Sequence, residues 1–553
     1  MILGIDVGGT HTDAVLLERF KVVRKEKVIT DRENLLRSLL EVTEKVLGDI
    51  SPGSLKRVVL STTMSTNAIV QGRISPVGMI LASGPGLPPS LLRINEHSHI
   101  VSGCVNHRGE EVAAIDAGEI AHIVRALRDE GIDHVGIVGK FSTRDPKIEL
   151  DIERLVRSRF THVSLGHQMS GNLNFPRRIA TTYLNAAIWE TYHAFIRSIT
   201  QFVARFDAHI PVYILKADGG TIEIGQSTAC PVQTILSGPA ASIMGILSLV
   251  DCVEDAVALD IGGTTTDIAI FAGGVPLLEP LGITIQGHKT LVRGLRTRSI
   301  GIGGDSRVAC VNGRLSVGPV REGPAASLGG PCPTPTDAMV VLGLASIGDR
   351  GRAARAIEDI AAALSRPLEE TARLIMEHAS REIITHVRTM IEEINNKPVY
   401  TVHELLEGAK IEPKAMYVVG GPSGAMAPRL GELFGVPVHI PGDAEVANAI
   451  GAALARTTTE LTVLADTEKG RLTIVEEGIQ QRVERSFTRD DAVALCREKL
   501  RARALAMGAW EDDIEIEITE DQSFTMVRNS CIAGRNIRIK GQVKPGLIHG
   551  ARR

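Results

Sequence analysis

Apolar and polar positions alternate in short runs along the first third of the chain. Runs at 2–5, 14–17 and 22–29 predict three strands, the first two flanking a loop at 6–13. Helical spacing follows over 33–47. A short buried strand at 58–61 then leads into a polar loop at 62–67, and an apolar strand at 77–82 closes on Ser83-Gly84-Pro85-Gly86. A helix over 117–130 and a strand over 134–139 continue the alternation, which predicts an α/β layer structure. The periodic stretch 179–206 predicts one long helix that divides the chain.

The same grammar then runs a second time. Strands are predicted at 211–216, 256–260 and 268–271, with a glycine loop between the last two. Residues 351–397 read as helical, with Pro367 as a break or first-turn residue. A strand at 415–419 ends in Gly420-Gly421-Pro422, and a small-residue helix covers 448–454. From about residue 463 the composition changes. Short strands at 462–465, 471–475, 514–519 and 537–540 and an amphipathic helix near 489–507 predict a small α/β appendage. Its acidic run Glu511-Asp512-Asp513 reads as a solvated turn. The expected domains are 1–178, 179–460 and 461–553.

Length supports that division, because 553 residues exceed what one core fills. Aromatics are only 3% while glycine reaches 55, so packing rests on aliphatic side chains and many glycines serve turns. A net charge of −4 without a basic run points away from nucleic acid and from anionic membranes as partners. The most apolar stretch, 235–250, contains Gly, Pro and Ser and is too short to span a bilayer. Seven scattered cysteines without a C-x-x-C pair, and a start that runs straight into an apolar strand, give a reducing cytoplasm as the expected location.

The candidate chemistry lies in a repeated motif. Asp6-Val7-Gly8-Gly9-Thr10-His11-Thr12-Asp13 is echoed by Asp260-Ile261-Gly262-Gly263-Thr264-Thr265-Thr266-Asp267, each between two apolar strands. Paired glycines let backbone N–H groups approach phosphate oxygens with no Cβ in the way, and threonine hydroxyls add donors. An aspartate at a strand end suits Mg²⁺, which prefers oxygen ligands. The pattern is not a Walker A loop, since no Gly-Lys-Ser/Thr follows. Duplication implies two similar domains facing each other with a nucleotide between them. Gly420 and Gly421, at a strand end before a helix, are the third element, placed to lie against a nucleoside.

These elements in this order resemble the actin/sugar kinase/heat-shock ATPase superfamily. Within it, the chain is similar to the hydantoinase A / 5-oxoprolinase family. Further motifs carry the likeness: Ser61-Thr62-Thr63-Met64-Ser65-Thr66-Asn67, Asp218-Gly219-Gly220, Ser237-Gly238-Pro239-Ala240-Ala241, Gly303-Gly304-Asp305-Ser306 and Pro335-Thr336-Asp337-Ala338. It covers about residues 1–455, and the tail stands outside it. The resemblance implies two duplicated ribonuclease H-like, actin-like ATPase domains. It also implies ATP-dependent phosphorylation of a cyclic amide or related carbonyl before ring opening.

Implied roles follow. Asp6 and Asp260 are the catalytic and Mg²⁺-holding residues. Gly8, Gly9, Thr10, Thr12, Gly262, Gly263, Thr264 and Thr265 hold ATP phosphates, and Gly420 and Gly421 meet the nucleoside. Thr62, Thr63, Ser65, Asn67 and Asp337 are the substrate candidates. His107 resembles a histidine-containing stretch of the family but reads as a loop residue. Implied partners are a small-molecule carbonyl substrate and a hydantoinase B-like subunit in an oligomer. His11 and Asp305 depart from the family pattern, where Phe and Gly are commoner, so the substrate does not transfer. Two alternatives stand beside the hydrolase: a reactivating, chaperone-type ATPase working through the unusual tail, and the ATP-binding subunit of a carboxylase-like complex. A plain small-molecule kinase would instead leave a stable phosphorylated product.

Overall fold

A computed structural model of the chain describes residues 1–9, 11–31, 34–205, 210–279, 281–396 and 410–550. Two compact units result. The first takes Met1–Gly238, Glu279–Gly294 and Ala455–His549, and the second takes Pro239–Leu278 and Leu295–Leu454.

In the first unit, the strand Ile2–Val7 is buried at every position. It runs antiparallel to His11–Glu18 and parallel to Arg57–Thr62. The full sheet order is Thr221–Glu223, Val212–Leu215, Arg57–Thr62, Ile2–Val7, His11–Glu18 and Lys21–Ile29. Leu39, Val42 and Val46 of helix Leu35–Leu47 share a core with Tyr192, Phe195 and Ile199 of helix Trp189–Val203 and with Leu3, Ile5 and Leu60 of the sheet. That core fixes the central strand, and with it the position of Asp6 at the strand end. A second, parallel sheet pairs Val77–Ala82 with Ser98–Ile100 on one side and His134–Gly139 on the other, with His162–Leu165 beyond.

The tail forms a third, antiparallel sheet in the same unit, from Glu460–Asp466, Arg471–Ile474, Ile479–Arg482, Ile516–Arg528 and Cys531–Val543. Helix Arg489–Ala506 buries Ala492, Cys496, Leu500 and Ala504 against it, all on one face. Thr488 and Asp491 form a capping box at its start.

The second unit is built around Ala256–Ile261. This strand is antiparallel to Thr266–Ala272 and parallel to Ala415–Val419, which repeats the pairing of Ile2–Val7. Helices Pro335–Val341, Arg350–Leu364, Leu368–Asn395 and Ser423–Phe434 cover it through Ala338, Ile357, Ile375, Ile383 and Leu430. Pro367 is the N-cap of the long helix and marks the break between it and Arg350–Leu364, one of the two roles expected of it.

Three expectations are corrected. The stretch 179–206 is two helices, Phe175–Ala187 and Trp189–Val203, divided at Ile188, whose φ of −95° and ψ of −2° leave the helical path. The loop 62–67 is largely a helix, Met64–Val70, because the Thr62 hydroxyl accepts from Met64 N–H and relieves its first turn. The two compact units also group the chain differently from the expected segments 1–178, 179–460 and 461–553. Val212–Leu215 pairs with Arg57–Thr62, and Arg177 Nη1 donates to the carbonyls of Leu281 and Thr290, so both stretches belong to the first unit. The tail also packs there, with Tyr213 donating to Gly508 O at 2.9 Å. Finally, Asp513 of the acidic run is only 5% exposed and accepts from His549 N–H. Among the described residues, no helix is long and apolar enough to cross a membrane.

Candidate functional site

At the first loop, the chain reverses within three residues. Gly8 N–H donates to His11 O at 3.0 Å, and a Cβ on Gly8 would lie 2.8 Å from that oxygen, so only glycine closes this turn. The pairing sets Asp6 opposite Asp13 on one side and Ser61 on the other. Asp6 is 8% exposed and accepts a short hydrogen bond from the Ser61 hydroxyl. Lys27 Nζ lies 3.2 Å from Asp13.

Thr12 is placed differently from its expected role. Its side chain is buried, and its hydroxyl meets that of Thr30 at 2.9 Å, while Thr30 donates to Gly8 O at 3.0 Å. Thr12 therefore braces the loop from behind and leaves no donor for a phosphate. Thr10 lies outside the described residues.

A cleft of about 300 Å³ opens beside this loop, lined by Gly8, Gly9, Asp31, Thr63, Asn67 and Arg73 among others. Thr63 Oγ1 accepts from Asn67 Nδ2 at 3.1 Å, so these two substrate candidates form one polar edge of the cleft. Thr62 and Ser65 do not reach it. Both are buried: Thr62 O accepts from the Ser237 hydroxyl at 2.8 Å, and Ser65 lies against Thr234.

The second loop repeats the first in detail. Gly262 N–H donates to Thr265 O at 2.9 Å, and Asp260 faces Asp267 across the hairpin. Thr266, in the place of Thr12, is buried and donates to Ile302 O at 2.7 Å. Asp260 accepts from the Ser242 hydroxyl at 2.5 Å and from Asn448 Nδ2 at 3.4 Å. Burial, then the charge of Asp260, raises the Asp267 carboxyl to about 7.

Two glycine segments press on this loop. Gly304 and Asp305 donate their N–H groups to the carbonyls of Gly262 and Gly263 at 2.9 and 2.7 Å. A Cβ on Gly303 would fall within 2.7 Å of those oxygens. Gly420, at a φ of +94°, leaves room for Asp260: a Cβ there would sit 2.7 Å from Asp260 Oδ1 and 2.3 Å from Ile261 O. Its observed neighbour is thus the Asp260 carboxylate. Gly421 differs, since a Cβ there meets nothing within 4 Å.

Arg321 was not singled out by sequence. It bonds to Thr264 Oγ1 at 3.2 Å and Asp305 Oδ2 at 2.8 Å, which puts a cation at the exposed Thr264 edge of the loop. Asp305, the departure from the family pattern, is what holds it there. Ser61, Ser242, Asn448 and Asp267 were also missed. Ser61 and Asp267 lie inside the motifs and Asn448 opens the predicted small-residue helix, whereas Arg321 carried no local signal.

Asp337, one of the substrate candidates, has its carboxylate engaged by the backbone. It is wholly buried, and its carboxylate accepts from the N–H groups of Ala326, Ser327 and Thr334 and from the Thr334 hydroxyl. These bonds close a capping box on helix Pro335–Val341. His107 is exposed in a turn, and among the described residues no cluster of three His, Cys, Asp or Glu side chains could hold a metal by itself. In each unit the leading aspartate, Asp6 beside the Ser61 hydroxyl and Asp260 beside the Ser242 hydroxyl, presents oxygen donors of the kind Mg²⁺ prefers.

Comparison with known proteins gives consistent matches. The family described as hydantoinase/oxoprolinase matches residues 178–461, and the hydantoinase/oxoprolinase N-terminal region matches residues 2–160. The caprolactamase subunit alpha of Pseudomonas jessenii is 26% identical over 541 residues, covering 88% of this chain and 76% of its own. The crystal structure of that ATP-dependent caprolactamase superposes with a TM-score of 0.72 at 21% identity, over 98% of this chain and 87% of the other. 5-oxoprolinase 1 of Arabidopsis thaliana is 23% identical over 61% of this chain, which spans only 31% of that protein. A nucleotide-free structure of acetone carboxylase has a TM-score of 0.76 at 17% identity, covering 100% of this chain and 88% of the other. That match includes the tail, so the segment set apart by sequence has a structural counterpart.

Proposed function

The chain belongs to the hydantoinase/oxoprolinase family, and on that premise we propose that it is an ATP-dependent hydrolase that activates a cyclic amide or related carbonyl by phosphorylation before ring opening. The observation that carries the reading is the repeat in structure: two glycine hairpins, each with an aspartate pair in the same register, Asp6 with Asp13 and Asp260 with Asp267. A single glycine turn has many uses, but a duplicated one with matching braces at Thr12 and Thr266 suits a triphosphate. The duplicated, ribonuclease H-like reading of the two sheets is part of this proposal, as are Mg²⁺, a cytoplasmic location and an oligomer with a hydantoinase B-like subunit.

Bound Mg-ATP would supply the phosphoryl group and the metal charge that draws electrons from it. The chain's own residues orient and neutralise. Asp6 and Asp260 would each offer an oxygen ligand to the metal, with Ser61 fixing the first carboxylate and Ser242 the second. Gly8 and Gly262 spend their N–H groups closing the two turns, and Gly9 and Gly263 are the positions proposed to face the phosphate chain. Arg321 stands beside Thr264 to offset developing charge. Asp267, titrating near 7, can hold or release a proton next to Asp260. Thr63 and Asn67 edge the cleft where a carbonyl substrate is proposed to bind. Gly421 is the nucleoside contact in this reading.

The alternative of an ATP-binding subunit in a carboxylase-like complex shares the phosphorylating step and is favoured by the full-length match to acetone carboxylase. The chaperone-type reading loses its motive, because the tail is not unique to this chain. The test is ADP release by the purified chain, alone and with a hydantoinase B-like subunit. Stimulation by lactams or imides with ring-opened product supports the hydrolase. Stimulation only by a ketone with bicarbonate supports the carboxylase subunit. Turnover indifferent to every such compound counts against both.

A further inference from the structure

A second cavity in the first unit, about 70 Å³, shares no lining residue with the loop cleft. Several distant stretches of chain line it. Lys216 and Asp218 follow the strand Val212–Leu215, Arg293 comes from the excursion Glu279–Gly294, and Thr458 and Glu460 open the tail.

Most charges there are matched. Lys216 Nζ donates to Thr458 O at 2.8 Å and lies 3.5 Å from Asp218. Asp218 also accepts from Gly220 N–H at 3.0 Å and Thr458 Oγ1 at 2.9 Å. Glu460 pairs with Lys540 at 2.9 Å. Glu476 accepts from the N–H and hydroxyl of Thr462.

Arg293 is the exception. Its side chain is 15% exposed, and its Nε lies 3.7 Å from Asp218, beyond hydrogen-bond reach. Both Nε and Nη2 are buried and have no acceptor among the described residues. These two N–H groups form one flank of the guanidinium, the flank that grips a carboxylate side-on. The chain uses the same two donors that way elsewhere: Arg429 Nε and Nη2 hold Glu377 at 2.5 and 2.9 Å, and Arg489 holds Asp521 alike.

We propose that this cavity binds a small planar carboxylate-type oxyanion, gripped side-on by Arg293 and backed by Lys216. The volume matches roughly two waters of about 30 Å³ each, which suits a short monocarboxylate or bicarbonate and excludes a nucleotide. Charge agrees. Lys216 and Arg293 face Asp218, Glu460 is neutralised by Lys540, and burial favours the protonated form of Glu476, leaving an excess positive charge for one anion. The site does not depend on the ATP chemistry proposed above.

The test uses the full chain in carbon dioxide-free buffer, with sodium acetate, sodium bicarbonate or sodium chloride at equal ionic strength. Two readouts are the thermal midpoint and the alkylation rate of Cys230, which lines the same cavity, followed by peptide mass spectrometry. Acetate or bicarbonate should raise the midpoint and slow Cys230 labelling beyond chloride, and whichever does so identifies the oxyanion. Arg293→Gln should weaken its half-saturation about tenfold or more, and Arg293→Lys less. If Arg293→Gln fails to fold, wild-type protection of Cys230 still decides. Equal effects of all three salts, or unchanged half-saturation in a folded Arg293→Gln protein, would overturn the proposal.

Discussion

Asp260 and Asp267 are direct partners across an antiparallel hairpin, and the charge of the first helps to hold the second in its protonated form up to about pH 7. The raised value makes Asp267 a stability element with a definite sign. Its folded pKa lies above the unfolded value of 3.8, so its contribution is fully present below about 3.8 and is lost as pH rises through 7. Asp267→Asn keeps the neutral form at all pH. The variant should gain on wild type as pH rises, by on the order of 2–4 kcal/mol above neutrality. Thermal midpoints of both proteins across acid to mildly alkaline pH check this, and parallel curves would refute it.

Gly420 and Gly421 are neighbours with opposite tolerance. Gly420→Ala meets both a left-handed φ and the oxygens of Ile261 and Asp260. It should cost about 1–3 kcal/mol and most of the ATP turnover, since it displaces Asp260. Gly421→Ala meets open space and should fold as wild type. A rise in KM for ATP in that variant would place the residue at the nucleoside, and identical steady-state constants would remove it from the site.

Asp337→Asn should destabilise the second unit by about 2–3 kcal/mol, because a buried carboxylate with four donors loses its charge. KM for the carbonyl substrate in the folded fraction should not change. A raised KM without loss of thermal stability would return Asp337 to the substrate site.

Arg321→Met should lower turnover about 10²-fold while leaving the thermal midpoint within a few degrees, since the side chain contributes charge at the edge of the loop. Arg321→Lys should recover part of it. Full activity in Arg321→Met would exclude it from phosphate chemistry.

Much of the frame was legible in sequence because it rests on local patterns. Strand periodicity located Ile2–Val7, Ala256–Ile261 and Ala415–Val419, and the doubled glycine motif located both hairpins. Within those motifs, however, spacing alone did not separate outward from braced residues. Thr12 and Thr266 fall in the inward register of their strands, so their hydroxyls serve the backbone. The Pro-Thr-Asp stretch at Asp337 read equally as a substrate group or as a helix cap, and its N3 position sends the carboxylate back to the cap. The return of 279–294 and of the tail to the first unit depends on long-range pairings that no local signal encodes. Arg321 and Arg293 reach their positions in the same way.

The most direct test of the central claim is Mg-ATP hydrolysis by Asp6→Asn and Asp260→Asn, measured beside thermal midpoints. Both variants should lose hydrolysis while staying within a few degrees of wild type. Unchanged turnover in folded variants would contradict the assignment of the two glycine hairpins to the nucleotide.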